Sequence, residues 1–186
     1  MTLILLEGPA LEPVTLAQAR AYLRLDATDE DTLVPALISV ARTSLETELR
    51  RAFISQRWTL LPDRWPGSSV TIPLTPVQSI DAVRVSGITL AADSYACECR
   101  RDPAVIHGRA GMGWPLPADP AGGIEIDFTA GYGDAADDVP APVRQAILML
   151  AAHWFETREP VAMGTPVLEM PFTVSRLIEP YRRPRL

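Results

Sequence analysis

Short strand-forming runs, separated by prolines, glycines and other turn residues, occupy the middle of the chain between two regions of helical periodicity. Residues 80–85 and 124–128 alternate apolar and polar side chains, which is typical of a strand with one buried face. The apolar residues 1–7 predict a further strand or arm at the N-terminus. The sequence therefore predicts an α+β fold, a small helical bundle with a small antiparallel β-sheet inserted at about residues 57–131.

Three helices are predicted around this insertion. A capping box, threonine followed three residues later by glutamine, predicts a short amphipathic helix over residues 15–25. Apolar residues at three- and four-residue steps predict a longer helix from Leu33 to about residues 53–54. A third helix, with Asp138 as candidate N-cap, ends before Pro160 because proline is incompatible with a helix interior.

The long second helix has a recurring stripe that predicts its inner face. That stripe consists of Leu33, Leu37, Val40, Ala41, Ser44, Leu45 and Glu48. Arg42, Glu46 and Arg50 are expected on the opposite side, in contact with water.

Composition and charge exclude several classes of protein. Of the 186 residues, 47% are hydrophobic and 22% charged, which is ordinary for a globular domain. No apolar stretch approaches the roughly 20 residues that cross a bilayer, and residues 1–7 lack the basic region of a secretory signal. We expect a protein made and used in the cytoplasm. The net charge of −6 argues against a general nucleic-acid binder.

The C-terminal end differs in charge from the rest of the chain. Its last eleven residues hold four arginines and one acid, so that this end carries +3 and the remainder −9. Prolines at 166, 171, 180 and 184 prevent a continuous helix, with at most a single turn at residues 174–178. Residues 161–186 are therefore predicted to form an irregular attachment arm that contributes nothing to the globular core of residues 1–160.

No constellation for catalysis or metal binding is found in the sequence. Cys97 and Cys99 are neighbours on one strand face and are expected as reduced thiols, because a bond between them would be strained. Only His107 offers a third soft ligand nearby. His153 and Glu156 have the spacing of a carboxylate-bundle pair but lack the further carboxylates, so we expect His153 to be packed or half-buried. We assign no catalytic, cofactor-binding or metal-binding residue.

Two weaker patterns have structural explanations. Glycines at 108, 111 and 113 precede a Trp-Pro-Leu-Pro run, which forbids the helix of a phosphate-binding loop. Four aromatic residues could form a stacking platform for single-stranded nucleic acid, but no basic residues are interleaved with them, and we favour core or loop anchoring. They are Trp58, Trp65, Trp114 and Tyr132.

Taken in order, several segments resemble the head–tail connector family of tailed bacteriophages, the adaptor or head-completion proteins, which also occurs in gene transfer agents. The likeness covers nearly the whole chain. The segments are 14–25, 29–46, 57–60, 72–77, 131–133, 139–143, 151–155, 170–174 and 181–183.

The resemblance implies a structural, non-enzymatic protein, assembled in the cytoplasm as a twelve-subunit ring in the neck of the particle. In related connectors the C-terminal arm contacts the portal protein, and the opposite face receives the stopper or another tail protein. Double-stranded DNA passes through the channel without sequence-specific binding, and neither a membrane nor a cofactor is involved. The residues expected to bind the portal are Phe172, Val174, Leu177, Ile178 and Tyr181 as apolar anchors, with Arg176, Arg182 and Arg183 as partners of portal acids.

Three alternatives remain at this point. Within the same particle, the chain could be another tail-completion protein, a stopper or a terminator. From other classes, it could be a hydrolase attached to the particle or a free nucleic-acid-binding module. Salt-sensitive DNA binding by the purified protein would distinguish the last of these.

Overall fold

The computed structural model describes residues 1–25, 32–109, 113–118, 122–157 and 170–182. Two compact units divide the chain, one made of Met1–Ala10 with Arg50–Asp134 and the other of Leu11–Leu49 with Ala135–Leu186. The first holds the strands and the second holds the α-helices. The predicted α+β class is confirmed.

Eight strands in the described residues build the first unit as two antiparallel sheets, where the sequence predicted one. The five-stranded sheet has the order β1-β2-β8-β4-β5, and the three-stranded sheet has the order β3-β7-β6. The strands are β1 (Thr2–Glu7), β2 (Gln56–Leu61), β3 (Ser69–Thr71), β4 (Val77–Val85), β5 (Ile88–Thr89), β6 (Tyr95–Glu98), β7 (Val105–Gly108) and β8 (Ile124–Ala130).

Alternation along the strands fills the core of this unit. β2, β8 and β4 contribute fully buried residues such as Leu60, Phe128 and Val83. Val70 and Ile106, from the three-stranded sheet, belong to the same buried cluster. Burial of one fully enclosed aliphatic or aromatic side chain stabilises a fold by about 1.5–3 kcal/mol, so this cluster is the main source of stability for the unit.

The second unit contains four α-helices in its described part: α1 (Leu16–Leu23), α2 (Leu33–Leu49), α3 (Ala141–Glu156) and α4 (Phe172–Ile178). The capping box predicted for α1 is present. The backbone N–H of Gln18 donates to Thr15 Oγ1 at 3.2 Å, and the N–H of Thr15 donates to Gln18 Oε1 at 2.9 Å. α2 and α3 pack against each other, and α1 and α4 both pack against α3.

α2 ends earlier than its periodicity indicates. Its last residue is Leu49 rather than one near 53–54, because Arg50 takes a left-handed conformation with φ 53°. Its buried face is also displaced from the predicted stripe, and Val40 is exposed. The buried residues are Val34, Ile38, Ala41, Arg42, Leu45 and Leu49.

Arg42 explains part of that displacement. Its Nε donates to Glu12 Oε2 at 2.8 Å and its Nη1 donates to Glu46 Oε2 at 2.6 Å, so the guanidinium enters the interior with two acidic partners. Burial by itself lowers the pKa of Arg42. The hydrogen bond to Glu12 and the charges of both carboxylates together outweigh this effect, so the pKa is raised above its ordinary value. The prediction that Arg42 lies on the water side is wrong.

The start of α3 also differs from the prediction. Pro140 is the N-cap residue, and Asp138 lies in the preceding 3-10 turn Ala136–Asp138. Asp138 caps that turn instead, since its Oδ2 accepts from the N–H of Ala135 at 2.9 Å.

Cys97 and Cys99 are paired as a disulfide, with Cα atoms 5.4 Å apart. The two side chains are neighbours, as predicted, but Cys99 lies in the turn that follows β6 and not on the strand. The prediction of two reduced thiols is wrong. Both residues pack against the buried cluster of the first unit.

Candidate functional site

The helix α4 is held to the second unit by one face. Val174 and Ile178, four residues apart, are both 0% exposed, and α4 packs against α3. The sequence predicted at most a single turn here, and it predicted that residues 171–186 contribute nothing to the core. The structure overturns both predictions, and Val174 and Ile178 have a core role.

The opposite face of α4 points to solvent. Phe172 is 74% exposed, and Arg176, four residues later, is also exposed. The guanidinium carbon of Arg176 lies 5.6 Å from the centre of the Phe172 ring, within the range of a cation–π contact. The two side chains form an apolar and positively charged knob, which we call the α4 knob.

The remaining residues of the predicted set follow α4. Leu177 and Tyr181 are half-buried, and Arg182 is exposed. Arg182 Nη2 lies 3.0 Å from Glu48 Oε1 on α2, which ties the end of this segment to the unit. Arg183 lies outside the described residues. Glu48 was not expected as a partner, because 134 positions separate it from Arg182 and no local pattern connects them.

An open groove runs along the exposed side of α2 beside this segment. Its volume is about 670 Å³. Hydroxyl side chains of α2 make up half of its lining, and the carboxylate of Glu48 among them is paired with Arg182. The lining residues are Ser39, Val40, Thr43, Ser44, Thr47, Glu48, Met170 and Arg182.

Arg84 is the centre of a charge network on the five-stranded sheet of the first unit. Arg84 donates to Glu125 Oε2 at 2.8 Å and to Asp127 Oδ2 at 2.7 Å, and Thr59 Oγ1 donates to Asp127 Oδ1 at 2.6 Å. The hydrogen bonds to Glu125 and Asp127 raise the pKa of Arg84. These contacts join β2, β4 and β8 across the sheet.

Two of the four candidate aromatic residues have structural partners. Trp65 and Trp114 stack at 4.1 Å between ring centroids, and their indole N–H groups donate to the carbonyls of Pro115 and Ser68. This arrangement anchors loops, as we favoured. His153 is half-buried, as predicted.

The described part of the chain contains neither a metal-ligand cluster nor a membrane-spanning helix. No group of three or more His, Cys, Asp or Glu side chains there could hold a metal ion. No helix there is long and apolar enough to cross a membrane.

The family model of the head completion proteins matches residues 12–183. The chain belongs to the head completion protein family. This match confirms the resemblance that was inferred from the order of the segments along the chain. The family is a family of structural proteins. A comparison with curated protein sequences gives no match.

Solved structures similar to this head completion protein come from gene transfer agent particles. A chain in the neck of an empty particle, computed with C6 symmetry, is 31% identical, with a TM-score of 0.78. A chain in the neck of a native particle, computed with C12 symmetry, is 30% identical, with a TM-score of 0.73. A chain from the virion of a native particle is 27% identical, with a TM-score of 0.81. Each match covers 100% of this chain and 97% of the other.

Proposed function

We propose that this head completion protein is the head–tail adaptor of a phage-like or gene transfer agent particle. Twelve copies form a ring in the neck, between the portal and the stopper or another tail protein. The full-length similarity to neck chains carries the proposal, and the C12 and C6 symmetries of those necks favour a cyclic assembly. Assembly takes place in the cytoplasm.

Within this ring, the α4 knob is the portal contact. Aromatic and arginine side chains dominate the energy of protein interfaces, and here Phe172 and Arg176 are both exposed while the same helix is fixed from behind by Val174 and Ile178. The α4 knob therefore loses little conformational entropy when it docks. Tyr181, Arg182 and Arg183 extend the contact, with the arginines pairing with portal carboxylates.

The ring surrounds the DNA channel without holding DNA. Each copy carries a net charge of −6, and binding to the phosphate backbone requires clusters of Lys or Arg that release counterions. A channel lined by acidic subunits favours passage over retention. This charge also separates the adaptor from a free nucleic-acid-binding module.

Binding to the purified portal ring tests the knob. The double variant Phe172→Ala with Arg176→Glu removes both exposed groups and leaves the buried face of α4 unchanged. Loss of one such anchor costs about 1–3 kcal/mol, which corresponds to about 5- to 150-fold weaker binding. We expect a reduction in this range or beyond in a sedimentation titration, and filled heads without tails in producing cells.

Tyr22→Ala is the matched control, because Tyr22 is an exposed aromatic residue of α1 outside the knob. It is expected to bind the portal as the unaltered chain does. Normal portal binding by the double variant would place the attachment elsewhere, on the inserted sheets.

A further inference from the structure

β1 is an edge strand of the five-stranded sheet. Among the described strands it pairs only with β2, so its other edge carries backbone N–H and C=O groups without a strand partner. Natural edge strands are usually short, charged, bulged or covered, because an open apolar edge recruits other chains. Residues 2–6 contain no charge and no proline, and the only irregularity lies between Leu5 and Glu7.

Residues 3–6 of β1 are apolar, and apolar side chains are exposed on both faces of the strand. Leu5 lies opposite Trp58 on the core side, while Ile4 lies opposite Thr59 on the other side. Ile4, Leu5 and Leu6 are all exposed, Leu6 by 51%. Three consecutive exposed aliphatic residues on a six-residue edge strand are costly in a free subunit and indicate a surface that is covered on assembly.

The opposite edge of the same sheet has a different character. β4 carries two register irregularities, and the short β5 pairs with it through Arg84 and Val85 alone. At this hairpin Ile88 is 71% exposed. The segment 113–118 lies beside the hairpin turn, where the N–H of Ala118 donates to Ser86 Oγ at 2.8 Å, and it carries the exposed Leu116.

We propose that β1 of one copy docks against the β4–β5 hairpin of the neighbouring copy, so that apolar residues 4–6 cover the region of Ile88. This inference rests on the proposed ring. A ring of identical subunits needs two different complementary surfaces on each copy. The sheet supplies them as its two edges, one long and apolar, the other bulged and apolar at its tip.

The difference between the two edges indicates that the partner of β1 is the β4–β5 hairpin of a neighbouring copy. It also explains why β1 does not pair with β1 of that copy. Pairing of two identical edges is isologous and closes as a dimer, whereas a contact between unlike edges continues around a ring. Because β1 and β5 terminate opposite sides of one sheet, each copy presents one edge to each neighbour.

Photo-crosslinking in particles made by producing cells tests this contact. A benzophenone amino acid replaces Leu6 in the full-length chain, and a second strain carries it at Phe172. After irradiation, we expect the Leu6 probe to join two copies of this chain, with the label in the tryptic peptide 85–100 that contains Ile88. A probe at the exposed Val40 of α2 is the control and is not expected to label that peptide.

Three results would overturn the contact: labelling of a different particle protein by the Leu6 probe, labelling of residues 1–20 in a second copy, or equal labelling of peptide 85–100 by the Val40 probe. The Phe172 probe keeps the two proposals apart. If it labels the portal while the Leu6 probe labels no second copy, the edge contact is wrong and the adaptor function stands. If this chain is missing from particles, the adaptor function itself fails.

A charged substitution at Leu6 tests the same contact through the amount of this chain in particles. Leu6→Lys places a charge on the exposed edge, as natural edge strands do, and because Leu6 is half exposed the free subunit is expected to fold normally. We expect about tenfold less of this chain in purified particles. Normal incorporation of the folded variant would contradict the contact.

Discussion

Gly131 follows β8 directly, at the position where the chain leaves the five-stranded sheet. Its φ is 142°, and a Cβ atom on it would lie 2.6 Å from the backbone carbon of Ile54. The neighbouring backbones are joined there, since the N–H of Tyr132 donates to the carbonyl of Phe53 at 2.9 Å and that of Ser55 to Gly133 at 3.0 Å. Only glycine allows both the conformation and the close approach.

Gly131→Ala is therefore expected to lower the free energy of unfolding by about 2–3 kcal/mol, from backbone strain and the contact with residues 54–55. Urea denaturation of the purified chain measures it. Gly8→Ala is the control, because a Cβ there meets only Leu5 at 4.0 Å, and its effect should stay within about 0.5 kcal/mol. Equal stability of the two variants would contradict this reading of Gly131.

Single residues were predictable from the sequence where their partners are local. Thr15 and Gln18 are three positions apart, and their capping box was found from spacing alone. The predicted position of Arg42 on α2 is wrong because one of its two acidic partners, Glu12, lies thirty positions away. A periodicity argument treats every arginine as solvated, and only the tertiary fold shows that this one is buried with two carboxylates.

At the scale of elements, strands were identified by alternation but their partners were not. The insertion predicted at 57–131 agrees closely with β2 to β8, while the division into two sheets depends on pairings between distant residues that no local pattern specifies. The length of α4 was underestimated because local sequence did not show its tertiary contacts. Seven residues between prolines have weak intrinsic helicity, and the helix is stabilised by the burial of Val174 and Ile178.

The two faces of α4 make opposite predictions for stability and binding. Ile178→Ala removes a fully buried side chain and should destabilise the free chain by about 2–4 kcal/mol. Phe172→Ala changes an exposed residue and should leave the free energy of unfolding within about 0.5 kcal/mol, although we expect it to weaken portal binding. Urea denaturation of both variants tests this. A large loss of stability in Phe172→Ala would show that the aromatic side chain of Phe172 is part of the core.

At the scale of the whole molecule, the order of weak segments was more informative than any one of them. The sequence contains no recognisable catalytic or metal motif, and the adaptor hypothesis rests on segments spread along nearly the whole chain. The family match over residues 12–183 confirms that hypothesis at the level of the family. The partners in the neck depend also on the surfaces of other proteins, which this sequence does not contain.

Electron cryomicroscopy of the particle neck tests the central claim most directly. The chain can be recognised in density by its stacked Trp65 and Trp114 and by the seven-residue α4 with the Phe172 side chain at its start. We predict a ring of twelve copies on the tail side of the portal, with each α4 knob in contact with a portal subunit. A ring of this chain that is separated from the portal by another protein, or that lies at the far end of a tail, would contradict the adaptor function and identify a stopper or a terminator instead.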